Sequence, residues 1–173
     1  MLDGYRGFRR DDDESRSYYD VAQICLNGHV INELAASQLQ SNKKFCEKCG
    51  ETTITTCVSC NTPIQGYYHI SGTLGVFEYK APHFCHECGK AYPWTEIRIQ
   101  SAQELVQELN LSSEEKEIIK QSIEDLVKDS PRTYAAAAKF NRLASKAGSG
   151  AVSMLKDALI DVLSDTAKKA LSS

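Results

Sequence analysis

Apolar residues recur with two different rhythms along this chain of 173 residues. From residue 101 onward they follow a helical period, whereas residues 21–98 carry only short β-branched or aromatic runs. Ser101 followed by Glu104 predicts a capping box and a short helix to Asn110. Ser112 with Glu115 predicts another, running to about residue 128, with Ile119, Ile123 and Leu126 among its apolar positions. Ser130-Pro131 reads as a cap and first helical position, opening a third helix that ends near 147. Gly148-Ser149-Gly150 then breaks the chain. A last amphipathic helix, from 151 to about 171, aligns Val152, Leu155, Leu159, Val162 and Leu163.

The earlier half predicts strands at 21–25, 52–56, 67–70, 75–79 and 95–100. One short helix fits within 30–40, with Asn32 as its cap. Residues 1–17 hold the acidic run Asp11-Asp12-Asp13-Glu14 and little periodic apolar content, so they read as a flexible arm. Its aromatic residues Tyr5 and Phe8, with Tyr18 and Tyr19 beyond, are those that would dock if the arm meets a surface.

Cysteine spacing explains what organises a region so poor in large aliphatics. All seven cysteines and one histidine fall into four turns: Cys25/His29, Cys46/Cys49, Cys57/Cys60 and Cys85/Cys88. A C-x2-C turn presents two sulfurs to one ion, and a tetrahedral zinc takes four such ligands. Eight ligands therefore predict two Zn²⁺ per chain in closed sites. Disulfides fit less well, because seven cysteines cannot all pair. Structural zinc is worth roughly 10–16 kcal/mol of apparent binding energy in small peptides. Net domain stability is only about 5–15 kcal/mol. Without metal, residues 21–98 are expected to unfold.

Two groupings satisfy the spacing. A tandem arrangement gives Cys25/His29/Cys46/Cys49 and Cys57/Cys60/Cys85/Cys88; a nested one puts Cys46/Cys49/Cys57/Cys60 around one ion and the outer four around the other. Gly50 and Gly89 follow their C-x2-C pairs where a knuckle needs positive φ. The words FCEKCG and FCHECG also echo one another, which favours the tandem grouping. His69, His83 and His86 are read as surface or neighbouring residues, since four cysteines already complete the second site.

The stretches QICLNGHVIN, FCEKCG with CVSC, PHFCHECGKAYPW, DSPRT and VLSDTAKK resemble a bacterial family of zinc-ribbon proteins catalogued as a domain of unknown function. The resemblance runs from about residue 18 to the C-terminus. It implies bacterial origin and metal binding, and it implies no activity. The expected architecture is α+β: an arm at 1–17, a small metal-stabilised β region of two tandem zinc ribbons at 18–100, and an α-helical C-terminal domain at 101–173.

Charge narrows the choice of partners. The formal net charge is −3; seven thiolates remove seven more charges and two dications return four, leaving about −6. Such a balance disfavours non-specific nucleic-acid binding, which depends on neutralising phosphates. One local exception is the stripe Arg132, Lys139, Arg142 and Lys146 on the third helix, either a phosphate-binding face or the counterpart of the acidic helix before it. Asp157, Asp161 and Asp165 argue against an anionic membrane surface for the last helix, whose apolar stripe would pack on the other helices or on a partner's helix, with self-association as one way to complete it. No signal-like or membrane-spanning segment is present, so a reducing cytoplasm is the expected compartment. The chain lacks H-E-x2-H, a P-loop, a dinucleotide fingerprint and the deaminase H-x-E. The expectation is a non-catalytic adaptor or scaffold that recognises a protein partner, with a nucleic-acid-binding regulator as the alternative.

Overall fold

Short antiparallel strands come first and helices follow in the computed structural model, which describes residues 17–70 and 78–172. The arm at 1–16 and residues 75–77 of the expected fourth strand lie outside the described residues. The chain divides into two compact units, Met1–Pro82 and His83–Ser173.

In the first unit β1 (Tyr18–Val21) pairs antiparallel with β5 (Gln65–His69), setting Tyr18 opposite His69 and Tyr19 opposite Tyr68. A second sheet has the order β3-β2-β4, from Gln23–Cys25 (β2), Val30–Asn32 (β3) and Thr53–Ile54 (β4). The register slips between Tyr19 and Val21. There Asp20, buried, accepts hydrogen bonds from the Val21 N–H (2.6 Å), the Ala36 N–H (3.0 Å) and the Ser37 hydroxyl (2.6 Å). Burial alone would raise the Asp20 carboxyl pKa, but these donors outweigh it and hold the group below the usual carboxylate value.

No helix forms within 33–38. Asn32 Oδ1 instead accepts the Leu34 N–H at 3.0 Å, an Asx turn, and only a single 3-10 turn follows at Leu39–Ser41. Gly66 fixes how closely these segments pack: a Cβ there would lie 2.3 Å from the Glu33 carbonyl oxygen. Among the described residues, Ala22, Ile24, Ala35 and Ile64 are the buried apolar side chains of this unit apart from cysteines. Ordering one residue costs about 1–2 kcal/mol, while burying an isoleucine returns about 1.5–3 kcal/mol. Two isoleucines and two alanines are too few to hold these segments by themselves.

The second unit is helical: α1 (Pro93–Glu108), α2 (Ser113–Val127), α3 (Thr133–Lys146), α4 (Ser149–Leu159) and α5 (Asp165–Leu171). Residues 95–100, expected as a strand, belong to α1, and Ser101 is an exposed interior position rather than a cap. Pro93 in the first turn starts this helix, and Trp94, Thr95, Ala102 and Val106 bury along it with helical spacing. The Ser112–Glu115 capping box is formed in both directions, each bond 3.2 Å. Thr133 ties the α2–α3 turn, donating to the Lys128 carbonyl at 2.7 Å and accepting the Ser130 N–H at 3.0 Å.

Gly148, at φ +113°, ends α3 as expected, but the last helix is two helices. Ser164 caps α5 through the Ala167 N–H (3.1 Å), while its own N–H donates to the Leu126 carbonyl at 3.1 Å. Leu155, Leu159, Val162 and Leu163 are buried against the other helices of the unit. With Val152 half-buried beside them, the stripe packs on the other helices of the unit, one of the coverings the sequence allows.

Candidate metal centre

Three of the four ligand turns share one backbone form. In each, the first cysteine N–H bonds the carbonyl five residues on, and the N–H four residues on returns to the cysteine carbonyl. The pairs are Cys46–Glu51 with Gly50–Cys46, Cys57–Thr62 with Asn61–Cys57, and Cys85–Lys90 with Gly89–Cys85, all at 2.8–2.9 Å. Gly50 (φ +74°), Asn61 (φ +60°) and Gly89 (φ +69°) occupy the same left-handed position. Glycine takes this conformation freely, and asparagine is among the few other residues that tolerate it. Bridges Phe45–Thr52, Thr56–Pro63 and Phe84–Ala91 close the three turns at matching places. The sequence echo seen at 45–50 and 84–89 therefore has a third copy at 56–61, disguised by Thr56 and Asn61.

The first turn is a variant. Gly28 (φ +88°) sends its N–H to the Cys25 carbonyl at 2.8 Å, and the His29 N–H reaches Cys25 Sγ at 3.3 Å. This wrap brings the imidazole, rather than a second thiol, to the ligand position.

The eight side chains converge in the tandem grouping. Cys25, His29, Cys46 and Cys49 bring four ligand atoms within 4.8 Å of one another, and Cys57, Cys60, Cys85 and Cys88 do the same. No disulfide joins any of the seven cysteines. In the first group His29 Nδ1 lies 3.5 Å from both Cys25 Sγ and Cys46 Sγ, and Cys25 Sγ lies 3.8 Å from Cys49 Sγ. A disulfide would need about 2.05 Å. A tetrahedral ion with bonds of about 2.3 Å to sulfur and about 2.0–2.1 Å to nitrogen sets edges near 3.8 Å for S–S and about 3.5–3.6 Å for S–N. The separations in the first group are those edges, and in either group the ligand atoms lie close enough together that they could hold a metal ion.

Local electrostatics favour ligation at the exposed corner. The Glu51 backbone N–H is the leading cause that brings the Cys49 thiol down to about 6, aided by Asn27, His29 and Cys46 against a desolvation penalty. Burial pushes the Cys25 thiol up, against the N–H groups of His29 and Asn27. Proton loss from Cys25 therefore belongs with metal entry.

A family profile covers residues 18–171, from β1 to the end of α5. The chain belongs to DUF2321, described as an uncharacterized protein conserved in bacteria. No curated protein and no solved structure matches it.

In this DUF2321 chain the remaining histidines stand outside both groups. His69 stacks on Tyr18 at 4.5 Å, and its Nε2 lies 3.6 Å from the Asp20 carboxylate. Burial lowers the His83 imidazole pKa, and its Nδ1 has no hydrogen-bond partner among the described residues. His86 is exposed.

The basic stripe on α3 divides. Arg132 pairs with Asp125 of α2 at 3.3 Å, and Lys146 with Glu115 at 2.6 Å. Lys139 and Arg142 are exposed and form no ion pair among the described residues. No helix among those residues is long and apolar enough to cross a membrane.

A cleft of about 400 Å³ lies in the first unit, lined by Tyr19, Tyr67, Tyr68, Ile70, Tyr79 and Pro82 with a few polar neighbours. Tyr18, Tyr19 and Tyr68 are 54%, 53% and 40% exposed, an unusual aromatic load for a two-stranded ribbon. Its only signal in the sequence is the pair of tyrosine doublets, 18–19 and 67–68.

Proposed function

We propose that this protein is a zinc-binding, non-catalytic adaptor of the cytoplasm that recognises another protein. The carrying observation is the match between the first group's ligand separations and the edges of a four-coordinate zinc tetrahedron. Four protein ligands per ion leave no position for water or substrate, which supports a structural role for both ions. Zinc would supply rigidity by clamping β2 and its turns to the knuckle at 46–49.

Tyrosine is enriched at protein interfaces, where its ring gives large contact area at low entropic cost. The exposed Tyr19 and Tyr68 beside the tyrosine-lined cleft supply such a surface. A photo-crosslinking residue beside the cleft, at Tyr18, should trap a discrete protein in bacterial cells. Tyr19→Ala with Tyr68→Ala should abolish that product while leaving the zinc content unchanged. No protein adduct at this position, or an adduct indifferent to the double substitution, contradicts the reading.

The nucleic-acid alternative keeps one support, the unpaired Lys139 and Arg142 on α3. Salt-sensitive retention on heparin that Lys139→Glu with Arg142→Glu removes would favour it. Lys139 and Arg142, in no ion pair among the described residues, are a small electrostatic footprint on a chain of charge near −6.

A further inference from the structure

We propose that the first metal group is a peroxide-modifiable site in which Cys49 is attacked from solvent and Cys25 closes a disulfide onto it. The inference rests on the zinc reading above and goes beyond it, because it gives the two sulfurs unequal roles. Cys49 is exposed, whereas Cys25 and Cys46 are buried. An oxidant therefore has one open sulfur at this group. Cys25 Sγ stands 3.8 Å from Cys49 Sγ, so a bond of about 2.05 Å needs under 2 Å of closure. Cys25 Sγ and Cys46 Sγ both lie 3.5 Å from His29 Nδ1, and Cys46 sits with Cys49 in one turn closed by the Gly50 N–H to Cys46 carbonyl bond of 2.8 Å.

The chemistry balances with hydrogen peroxide as oxidant. The Cys49 thiolate attacks one peroxide oxygen, the O–O bond breaks, and hydroxide leaves a sulfenic acid on Cys49. The Cys25 thiolate then attacks that sulfur and expels a second hydroxide as the S–S bond forms. Two thiolates are oxidised by two electrons, and one peroxide is reduced to two hydroxides. The crosslink would leave only His29 and Cys46 to hold an ion at this group, so bound zinc would be released. Cys25 lies on β2 and Cys49 in the turn that leads towards β4, so the crosslink ties β2 to the turn before its sheet neighbour.

Trypsin sites separate the possible products. Cleavage at Arg16, Lys43, Lys44, Lys48 and Lys80 puts Cys25 in peptide 17–43, Cys46 in 45–48, and Cys49 in 49–80 with Cys57 and Cys60. The full chain is first assayed for zinc; fewer than two ions in the untreated protein sinks the zinc reading and this proposal with it. Hydrogen peroxide is then added, a colorimetric chelator follows released zinc, and non-reducing digests with fragment-ion sequencing locate the bonds. The expected result is one zinc lost per 17–43/49–80 crosslink formed at Cys49, reversed by dithiothreitol with added zinc. A 45–48/49–80 crosslink instead, or Cys49 over-oxidised to sulfinic acid without crosslinking, overturns the proposal. So does first-group zinc that stays bound while Cys49 remains a thiol.

Discussion

Replacing Gly66 with alanine places a carbon 2.3 Å from the Glu33 carbonyl oxygen, 2.7 Å from the Val21 carbonyl carbon and 2.9 Å from the Ala22 nitrogen. All three are backbone atoms, so no side chain can swing aside. Restoring an ordinary contact of 3.4 Å requires the Glu33 segment to retreat by about 1 Å. That carbonyl accepts the Tyr67 N–H at 2.9 Å, and its neighbours carry the Ala22 to Ile64 and Ala35 to Val21 bonds at 2.8 Å. A stretch of this size takes such bonds beyond hydrogen-bonding range. Three bonds at about 1 kcal/mol each give about 3 kcal/mol, at the upper end of the about 1–3 kcal/mol seen for overpacking. For a unit of this size the melting temperature should fall by roughly 12–24 °C. The assay is thermal unfolding of the zinc-loaded protein followed through tyrosine near-ultraviolet dichroism, since many of its tyrosines lie in this unit. Gly150→Ala is the internal control: its Cβ meets nothing within 4 Å and it sits in α4, so it should gain about 0.5–1 kcal/mol. A Gly66→Ala protein that melts with the wild type would refute the packing argument.

Three further outcomes follow from single contacts. Asn61→Gly should leave stability within a few tenths of a kcal/mol, whereas Asn61→Val should cost roughly 1–2 kcal/mol in denaturant unfolding, because φ is +60° there. The Lys146 ammonium leads the groups that hold the Glu115 carboxyl below its usual value, followed by Ser112, so Lys146→Ala should raise the Glu115 titration midpoint by NMR. A depressed carboxylate stabilises the fold above its unfolded value of about 4.3 and loses that contribution as pH falls through the folded value. An unchanged midpoint in Lys146→Ala contradicts the pairing. Ser164→Ala removes the cap on α5 and should cost about 0.5–2 kcal/mol, with faster amide exchange concentrated at Ala167 and its neighbours.

The metal groups were legible because ligand chemistry constrains sequence tightly: few residue types bind, and a knuckle fixes their spacing. The helical half was legible where local chemistry and burial agreed, as at Ser112–Glu115 and the inner face of α2. It misled where a local signal had two readings. Thr95, Ile97 and Ile99 alternate like a strand, yet Pro93 and the burial of Trp94, Ala102 and Val106 commit the segment to α1. Ser164-Asp165 is a helix start inside an apolar stripe continuous enough to read as one helix. Gly66 and the inward Asp20 answer to contacts with segments 16 or more residues away, which no periodicity encodes. The Asn61 knuckle was hidden because a second residue type satisfies the same backbone requirement.

X-ray absorption at the zinc K edge of the purified, unoxidised protein tests the central claim most directly. Seven thiolates and one imidazole shared between two ions predict an average shell of about 3.5 sulfurs near 2.3 Å and about 0.5 nitrogen near 2.0–2.1 Å. A shell dominated by oxygen or nitrogen, or fewer than three sulfurs per zinc, would contradict the two closed tetrahedra on which this account of the protein stands.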